Sequence, residues 1–169
     1  MSISPETKIV VLTIGHSDMA FEYFVGLLEY HHVKNLVDVR SEAFSKVADW
    51  ATKKTLKSKL AKEEIEYHYL GDKLGGKPAD PDVWKGDKVD WEMLRKKDYF
   101  VQGIADLVAI AERAQTAILC SEENPQYCHR SLAVAPSLEA CGVEVAHIRH
   151  NGSLQTEGSL RPQIKLPFF

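Results

Sequence analysis

Two cysteines, a histidine and an arginine are concentrated in one short segment of the chain, residues 119–131, which reads LCSEENPQYCHRS. The segment directly follows the apolar run 116–119, which is typical of a buried strand. Reactive side chains just past a strand end and ahead of a helix are a common way for α/β domains to build ligand sites. The segment could therefore do chemistry, bind a ligand or only hold the fold together.

Cys128 is the first candidate for a nucleophile. Asn124 followed by Pro125 is the pattern of a helix N-cap and first helical residue, so we expect a helix to begin there. Cys128 would then lie in or near the first turn, where the helix dipole favours a thiolate, and His129 and Arg130 would add positive charge. The alternative is a buried cysteine that packs its helix against the sheet, because free cysteine is among the most buried residues.

Cys120 ends the predicted strand, eight positions before Cys128. The loop between them could bring the two thiols together, which would allow a reversible disulfide or a shared metal. We predict that no metal binds, because Cys128 and His129 are neighbours whose side chains should diverge on a helix. The predicted catalytic residues are Cys128, His129 and Cys120.

Arg40 and Arg130 are predicted to hold an anionic ligand, because a guanidinium group binds phosphate or carboxylate through two parallel hydrogen bonds. The glycine and serine residues after the first strand could add backbone N–H groups at a helix N-terminus. The alternative is that the arginines pair structurally with Asp38, Glu122 or Glu123. The predicted ligand-binding residues are Gly15, His16, Ser17, Arg40, Gly75, Gly76, Glu122 and Arg130.

Runs of apolar and β-branched residues alternate with segments of helical periodicity. Strands are predicted at residues 8–14, 35–39, 65–70, 116–120 and 143–148. Helices are predicted after Asp18 as N-cap, around Leu56 and Leu60, after Asp98 with Val101, Ile104, Ala105 and Val108 on one stripe, and from Asn124 to Cys141 with an interruption at Pro136. Residues 71–82 are predicted to be a loop, and the tail from Arg149 shows no periodicity.

This alternation predicts a three-layer α/β fold with a mostly parallel sheet of about five strands, covered by helices on both faces. We expect one domain over residues 1–169, with its core at about 8–150 and no assignment for the tail 151–169. Because the carboxyl ends of parallel strands share one edge, the segments that begin at Gly15, Arg40, Gly71 and Cys120 should meet there, as should residues 147–150. That edge is the predicted ligand site.

The composition is that of an ordinary globular protein, with 44% hydrophobic and 27% charged residues and a net charge of -3. A nucleic-acid partner is weakly supported, because the run of lysines at residues 53–62 is most simply the solvated face of a helix. Residues 1–8 show no signal-peptide pattern and no run has membrane-spanning length, so we expect a cytoplasmic protein without a membrane partner. Three cysteines without a C-x-x-C pair predict reduced thiols.

Five sequence blocks resemble, in order, those of the domain-of-unknown-function 488 family. They are TIGHS (13–17), LVDVR (36–40), LGGKP (74–78), CSEENPQYCHRS (120–131) and VEVAHI-x-x-NG (143–152). The resemblance extends from Ile9 to about Gly152, implies a Rossmann-like α/β fold, and points to the two cysteines of the fourth block as functional. After Arg40 this chain reads SEAFSK where the family usually has a proline and a basic Ser-Arg step, so the role of that arginine does not carry over.

Two classes of function follow from these residues. The first is an enzyme that acts on a phosphate-bearing substrate, such as a nucleotide or nucleic acid, with Cys128 or His129 in attack or proton transfer and the arginines on the anion. The alternative is a non-catalytic ligand-binding or redox-sensing module with structural cysteines. A rhodanese-like sulfurtransferase is disfavoured because the C-x-x-x-x-R loop is missing. No cofactor is assigned, since neither G-x-G-x-x-G nor a Walker A pattern occurs.

Overall fold

The structure is a computed structural model that describes residues 7–160. Its strands are β1 (Val10–Gly15), β2 (Asn35–Asp38), β3 (Glu66–Tyr69), β4 (Trp84–Lys85), β5 (Lys88–Val89), β6 (Thr116–Cys120), β7 (Glu144–Ile148) and β8 (Leu154–Thr156). Its helices are α1 (Phe21–Tyr30), α2 (Lys53–Lys62), α3 (Gly71–Leu74), α4 (Trp91–Arg95), α5 (Asp98–Arg113), α6 (Ala135–Ala140) and α7 (Glu157–Leu160).

Six of the strands form one sheet in the order β3-β2-β6-β1-β7-β8. The first five strands of that order are parallel to one another, and β8 runs antiparallel to β7 at the edge. The remaining two strands, β4 and β5, pair as a small antiparallel hairpin. The predicted α/β fold with a mostly parallel sheet is confirmed, and the sheet has one strand more than expected.

The central strands are buried along nearly their whole length because helices cover both of their faces. All five residues of β6 are buried, and so are five of the six residues of β1. Continuous apolar runs are the expected sequence of such doubly covered parallel strands. The edge strand β3, with the sequence EYHY, is only partly buried, which explains its alternating pattern.

Two hydrophobic layers lie on opposite faces of the sheet, because successive side chains of a strand point to opposite sides. Val11 packs in the layer that contains Leu107 of α5 and also includes α6. Leu12, its neighbour, packs in the opposite layer with Phe24 of α1 and Leu60 of α2. The connections after β1 and β2 therefore cover one face, and the helix after β6 covers the other.

The Lys-rich helix is α2, and it buries Leu56 and Leu60 as predicted. The helix after β1 begins at Phe21 with Ala20 at its N-cap and no capping side chain, so the expectation that Asp18 caps it is wrong. Its start is set instead by the apolar face of the helix, which packs on the sheet.

The buried stripe of α5 differs from the predicted one. Phe100, Ile104 and Leu107 are buried, whereas Val101 is 54% exposed. Of the predicted stripe only Ile104 is fully buried, and Ala105 is exposed. Apolar residues occupy more than one face of this helix, so spacing alone does not identify the face that meets the sheet.

The sequence also misses short elements, among them the hairpin of β4 and β5. The predicted loop 71–82 begins with the helix α3, and the tail after Arg149 continues as β8 and α7. Strands of three residues and helices of four residues are too short to show a period. Residues 161–169 of the predicted tail lie outside the described residues.

No helix within residues 7–160 is both long enough and apolar enough to cross a membrane.

We expect Gly15→Ala to destabilise the protein by about 1–3 kcal/mol, as overpacked sites commonly do. A Cβ on Gly15 would lie 1.6 Å from the backbone oxygen of Glu122, so the loop after β6 would have to move. The matched control is Gly26→Ala on the exposed face of α1, where a Cβ meets no atom within 4 Å. This control should stabilise the helix by about 0.5–1 kcal/mol. Urea unfolding of both variants measures their free energies of unfolding. Equal values would contradict a close contact between Gly15 and the Glu122 backbone.

Candidate functional site

The polar residues at the strand ends meet at a cleft beside the carboxyl end of β6. This strand lies between β1 and β2, whose connections pack on one face, whereas the chain after β6 leads to α6 on the opposite face. Diverging connections of this kind open a crevice at the carboxyl edge of a parallel sheet. The cleft has a volume of about 340 Å³. Its lining includes six predicted site residues, Arg40, Gly76, Cys120, Glu122, Cys128 and His129.

The helix does not begin at Asn124–Pro125 as predicted, although Cys128 does lie next to a helix start. Asn124 does cap a turn, its side-chain oxygen accepting a hydrogen bond from the Gln126 amide at 3.0 Å, and Pro125 opens that turn. The turn is a single 3-10 turn, however, because Cys128 adopts an extended backbone with φ -96 and ψ 150. The Cys128 carbonyl then accepts from the backbone amides of Ser131 and Leu132, so Cys128 lies at the start of the following helix.

The helix that follows has wide turns before Pro136. Residues Arg130–Val134 form a π-helix, which passes directly into α6. Proline lacks an N–H and crowds the carbonyl four residues earlier, so the widened turns remove the conflict that an α-helix would have here. The predicted interruption of this helix is therefore present, and it sets the direction in which Arg130 leaves the backbone.

Three potential ligand or nucleophile atoms converge at the base of the cleft. The Sγ atoms of Cys120 and Cys128 are 2.9 Å apart. His129 Nδ1 lies 3.7 Å from Cys120 Sγ and 3.6 Å from Cys128 Sγ. The expectation that Cys128 and His129 diverge is wrong, because Cys128 precedes the helix and its extended backbone turns the side chain toward its neighbour.

His129 is held in one orientation from two sides. Its Nε2–H donates to the backbone oxygen of Val39 at 3.1 Å, so Nδ1 is the ring atom that faces the sulfur atoms. Gly76 packs directly on the ring, and a Cβ at that position would lie 2.9 Å from His129 Nδ1. The glycine thus leaves just enough room for the imidazole.

Arg130 is fully buried, and all of its described partners belong to the protein. Its Nη1 donates to the Thr13 hydroxyl at 3.1 Å, and its Nη2 donates to the backbone oxygens of Glu122 and Glu123. Its Nε donates to Cys128 Sγ at 3.4 Å. Among residues 7–160 no carboxylate lies within 4 Å of this guanidinium, whose nearest ionisable partner is therefore the sulfur of Cys128.

The two thiols have opposite proton affinities. The hydrogen bond from Cys120, followed by the nearby His129 and Arg130, holds the pKa of Cys128 well below its ordinary value of 9.0 in spite of burial. The same contact with Cys128, together with burial, raises the pKa of Cys120 well above that value. Cys120 thus holds a proton more readily than Cys128 does.

Arg40 shows the structural pairing that the sequence left as an alternative. Its Nε and Nη2 donate to the two carboxylate oxygens of the buried Asp38, at 2.9 Å and 2.7 Å. The Tyr67 hydroxyl donates to the same carboxylate at 2.6 Å, and burial followed by the Asp38 charge raises the pKa of Tyr67. Arg40 Nη1 lies 3.3 Å from His16 Nε2, and Arg40 also lines the cleft. A ligand would therefore meet an arginine that is already held rigidly.

The remaining predicted ligand-binding residues pack around the cleft. Gly15 lies against the loop after β6, and Gly75 lies against Ser41. The backbone amides of His16 and Ser17 donate to the carbonyls of Cys120 and Ser121, at 3.0 Å and 2.9 Å. These residues position the two neighbouring strand exits relative to each other.

Several lining residues were not among the predicted site residues. They are Ser41, Glu42, Phe44, Lys77, Trp91, Ser121 and Tyr127. Phe44 is 54% exposed and Tyr127 is 80% exposed, so the cleft has an aromatic rim. Large exposed aromatic residues are not distinguishable from core residues in a sequence.

Cys120, Cys128 and His129 are also the described residues that could hold a metal ion, since their ligand atoms all lie within 4.8 Å of one another. A tetrahedral zinc ion with bonds of about 2.3 Å would hold two thiolates about 3.8 Å apart. The observed separation of 2.9 Å is shorter, so binding zinc would require the sulfur atoms to move apart. The absence of a metal stays a prediction.

We expect the free energy of unfolding to decrease, as the pH falls below about 6.5, more steeply in the wild type than in His16→Gln. Burial, helped by the charge of Arg40, lowers the pKa of His16, and its ring accepts from Arg40 through Nε2 while Nδ1–H donates to Ser17. Below about pH 6.5 the unfolded chain therefore binds a proton at His16 that the native protein does not bind. The contribution of His16 to the free energy of unfolding is complete above about that pH and is lost below it. Glutamine keeps an acceptor for Arg40 but cannot titrate.

Urea unfolding over a pH series measures the difference between the two proteins. It should change by at most about 1.4 kcal/mol per pH unit. Parallel curves for wild type and His16→Gln would show that His16 takes up its proton equally in both states.

A model of the family described as Domain of unknown function DUF488 matches residues 20–135, which is more than half of the 169 residues. The matched region contains the cleft and both cysteines. No curated protein and no solved structure shows a significant match to the chain. The chain belongs to the DUF488 family.

Proposed function

We propose that the protein is a thiol-dependent enzyme in which Cys128 is the nucleophilic thiolate and Cys120 is the protonated partner thiol. The observation that carries this proposal is the burial of Arg130 against Cys128 without a carboxylate in the described residues. A buried charge without a counterion costs several kcal/mol. Since arginine keeps its proton, the thiolate form of Cys128 supplies the opposite charge.

The position of Cys128 also supports a reactive role. Its side chain is only 4% exposed, but it lines the cleft beside Cys120 and His129. A thiolate at the base of an open cleft can meet a substrate while the protein excludes most water. A cysteine that served only to pack its helix would need neither the cleft nor the hydrogen bonds that Cys120 and Arg130 donate to its sulfur.

A phosphate-bearing, nucleotide-like substrate is the class that the cleft supports best. Arg40 and Lys77 bring positive charge to it, and Phe44, Trp91 and Tyr127 offer ring faces for a base. Glu42 and Glu122 line the same cleft and would repel a phosphate. The ligand should therefore be small enough for its phosphate to lie near Arg40 and Lys77 and away from the two glutamates. A nucleic-acid strand could bind through the same cations and aromatic rings, but it is less well supported than a small nucleotide-like ligand.

The two thiols at the base of the cleft can supply the nucleophile and the proton that hydrolysis of a phosphate ester needs. On a phosphate ester, the Cys128 thiolate attacks phosphorus, an S–P bond forms, and the P–O bond to the leaving group breaks. The leaving oxygen takes the proton held by Cys120. Water then hydrolyses the thiophosphate and returns one proton to the thiol pair.

The second candidate is a redox module, and the sulfur separation of 2.9 Å favours it. With hydrogen peroxide, the Cys128 thiolate attacks one oxygen and becomes a sulfenic acid, while the other oxygen leaves as hydroxide and takes a proton from solvent to become water. Cys120 then attacks the sulfenic sulfur, an S–S bond forms, and a second water leaves. Each peroxide thus oxidises two thiols, and no further turnover occurs without a reductant.

We expect iodoacetamide to alkylate Cys128 at about pH 6, where an ordinary thiol is almost unreactive. The measurement uses Cys141→Ser as background, because Cys141 is the exposed cysteine, and peptide mass spectrometry locates the label. Adding Cys120→Ala removes a donor to the thiolate and should slow labelling by about tenfold for each unit by which the Cys128 pKa rises. Cys120→Ser keeps a hydroxyl donor and should slow labelling less. No labelling of Cys128 below about pH 8 would rule out the nucleophile.

We expect p-nitrophenyl phosphate, used as a generic aryl phosphate, to be hydrolysed slowly by the wild type and not by Cys128→Ser. Cys141→Ser is the control and should keep wild-type turnover. If peroxide forms the Cys120–Cys128 disulfide but neither this probe nor a nucleoside monophosphate is turned over, the redox module replaces the enzyme. A stoichiometric zinc content of the purified protein would replace both with a metal site.

A further inference from the structure

Two buried ionisable residues, His147 and Glu157, do not contact the thiol pair and lie one layer of hydrogen bonds behind Arg130. His147 is the fourth residue of β7 and has no exposed surface, and Glu157, at the start of α7, is 5% exposed. They face each other because β8 pairs antiparallel with β7 and returns the chain beside His147. Both residues lie outside the matched family region, residues 20–135.

A continuous series of hydrogen bonds joins these residues to Cys128. His147 Nε2 lies 2.5 Å from Glu157 Oε2, and His147 Nδ1 lies 2.6 Å from the Thr13 hydroxyl. The same hydroxyl accepts from Arg130 Nη1 at 3.1 Å, and Arg130 Nε donates to Cys128 Sγ at 3.4 Å.

We propose that Glu157 and His147 are positioning residues for Cys128, and that they act through Thr13 and Arg130. The proposal rests on the thiolate role of Cys128 proposed above. Neither residue touches the cleft, so their effect is on the orientation of the guanidinium that stabilises the thiolate.

The direction of each hydrogen bond supports this role. A carboxylate can only accept, so His147 Nε2–H donates to Glu157, and in this tautomer Nδ1 is the acceptor. The Thr13 O–H then donates to Nδ1, and its oxygen lone pairs face the Arg130 N–H. Glu157 thereby determines the tautomer of His147, the tautomer orients the hydroxyl, and the hydroxyl receives one arm of the guanidinium.

A role of His147 and Glu157 only in anchoring α7 to the sheet would explain less of this arrangement. Glu157 also accepts from the Ser131 hydroxyl at 3.2 Å, so it contacts the helix that begins just after Cys128. The carboxylate is thus linked to the site along two routes, through β1 and through the residue next to Arg130. Both routes end at the groups that surround the thiolate rather than at the apolar core.

The experiment measures the rate of Cys128 alkylation by iodoacetamide against pH in Cys141→Ser protein. We expect Thr13→Val and Glu157→Gln to slow labelling at about pH 6 by about threefold to tenfold, with the midpoint of the profile at higher pH. Thr13→Ser keeps the hydroxyl and should restore the wild-type profile.

Thr116→Val is the matched control. It removes another buried strand hydroxyl, in β6, which donates to the Ala114 carbonyl and accepts from the Asn35 side-chain amide rather than from Arg130. It should lower stability to an extent similar to Thr13→Val and leave the labelling profile unchanged. Glu144→Gln makes the same charge change as Glu157→Gln at an exposed site and should also have no effect.

The outcomes separate the two proposals. If Cys128 is reactive in the parent protein but Thr13→Val and Glu157→Gln label like it, the positioning role is overturned and the thiolate stands. If Thr116→Val slows labelling as much as Thr13→Val, loss of stability explains the effect and the positioning role is again overturned. If the parent protein itself is unreactive at Cys128, the proposed function fails first.

Discussion

A single buried positive charge organises this edge of the sheet. The guanidinium of Arg130 has no exposed surface and joins β1, the loop after β6 and Cys128. A buried charge is tolerated only when its hydrogen bonds are satisfied and an opposite charge lies close to it. The loop after β6 must therefore fold back against β1 to bring its carbonyls to the guanidinium. This return leaves no space for a side chain at Gly15.

The second buried arginine at this edge meets the same requirement in another way. Arg40 finds its counterion two residues away, in Asp38 at the end of β2, and this pairing leaves one arm of Arg40 near His16. Arg130 has no described carboxylate and faces sulfur instead. Two residues of one type thus have different roles, one in the lining of the cleft and one behind it. The two arginines differ in their counterions. The sequence positions of the arginines do not predict which group each one pairs with.

The description of the DUF488 family assigns no activity, so the proposed function rests on the geometry of the thiols. A thiol pair in which one sulfur holds the proton and the other holds the charge can serve either attack on a substrate or reversible oxidation. Both uses need the same charge balance around Cys128, and they differ in what the cleft binds. The contacts of His147 and Glu157 extend this balance to β7 and α7, beyond the matched residues.

The alternation of apolar runs and helical periods was enough to predict the α/β class, five parallel strands and the edge at which Cys120, Cys128, His129, Arg40 and Gly76 meet. This succeeds because parallel strands need long apolar runs, and their carboxyl ends must share one edge. Only the tertiary structure decided the backbone of Cys128, the burial of Arg130 and the place of Glu157. These depend on contacts between residues far apart in sequence: the turn after Pro125 ends where the sulfur can meet Cys120, and a short antiparallel strand brings a tail carboxylate to His147. Local sequence patterns show the periodicity of single elements. The partner of a buried charge depends instead on which distant residues the folded chain brings together.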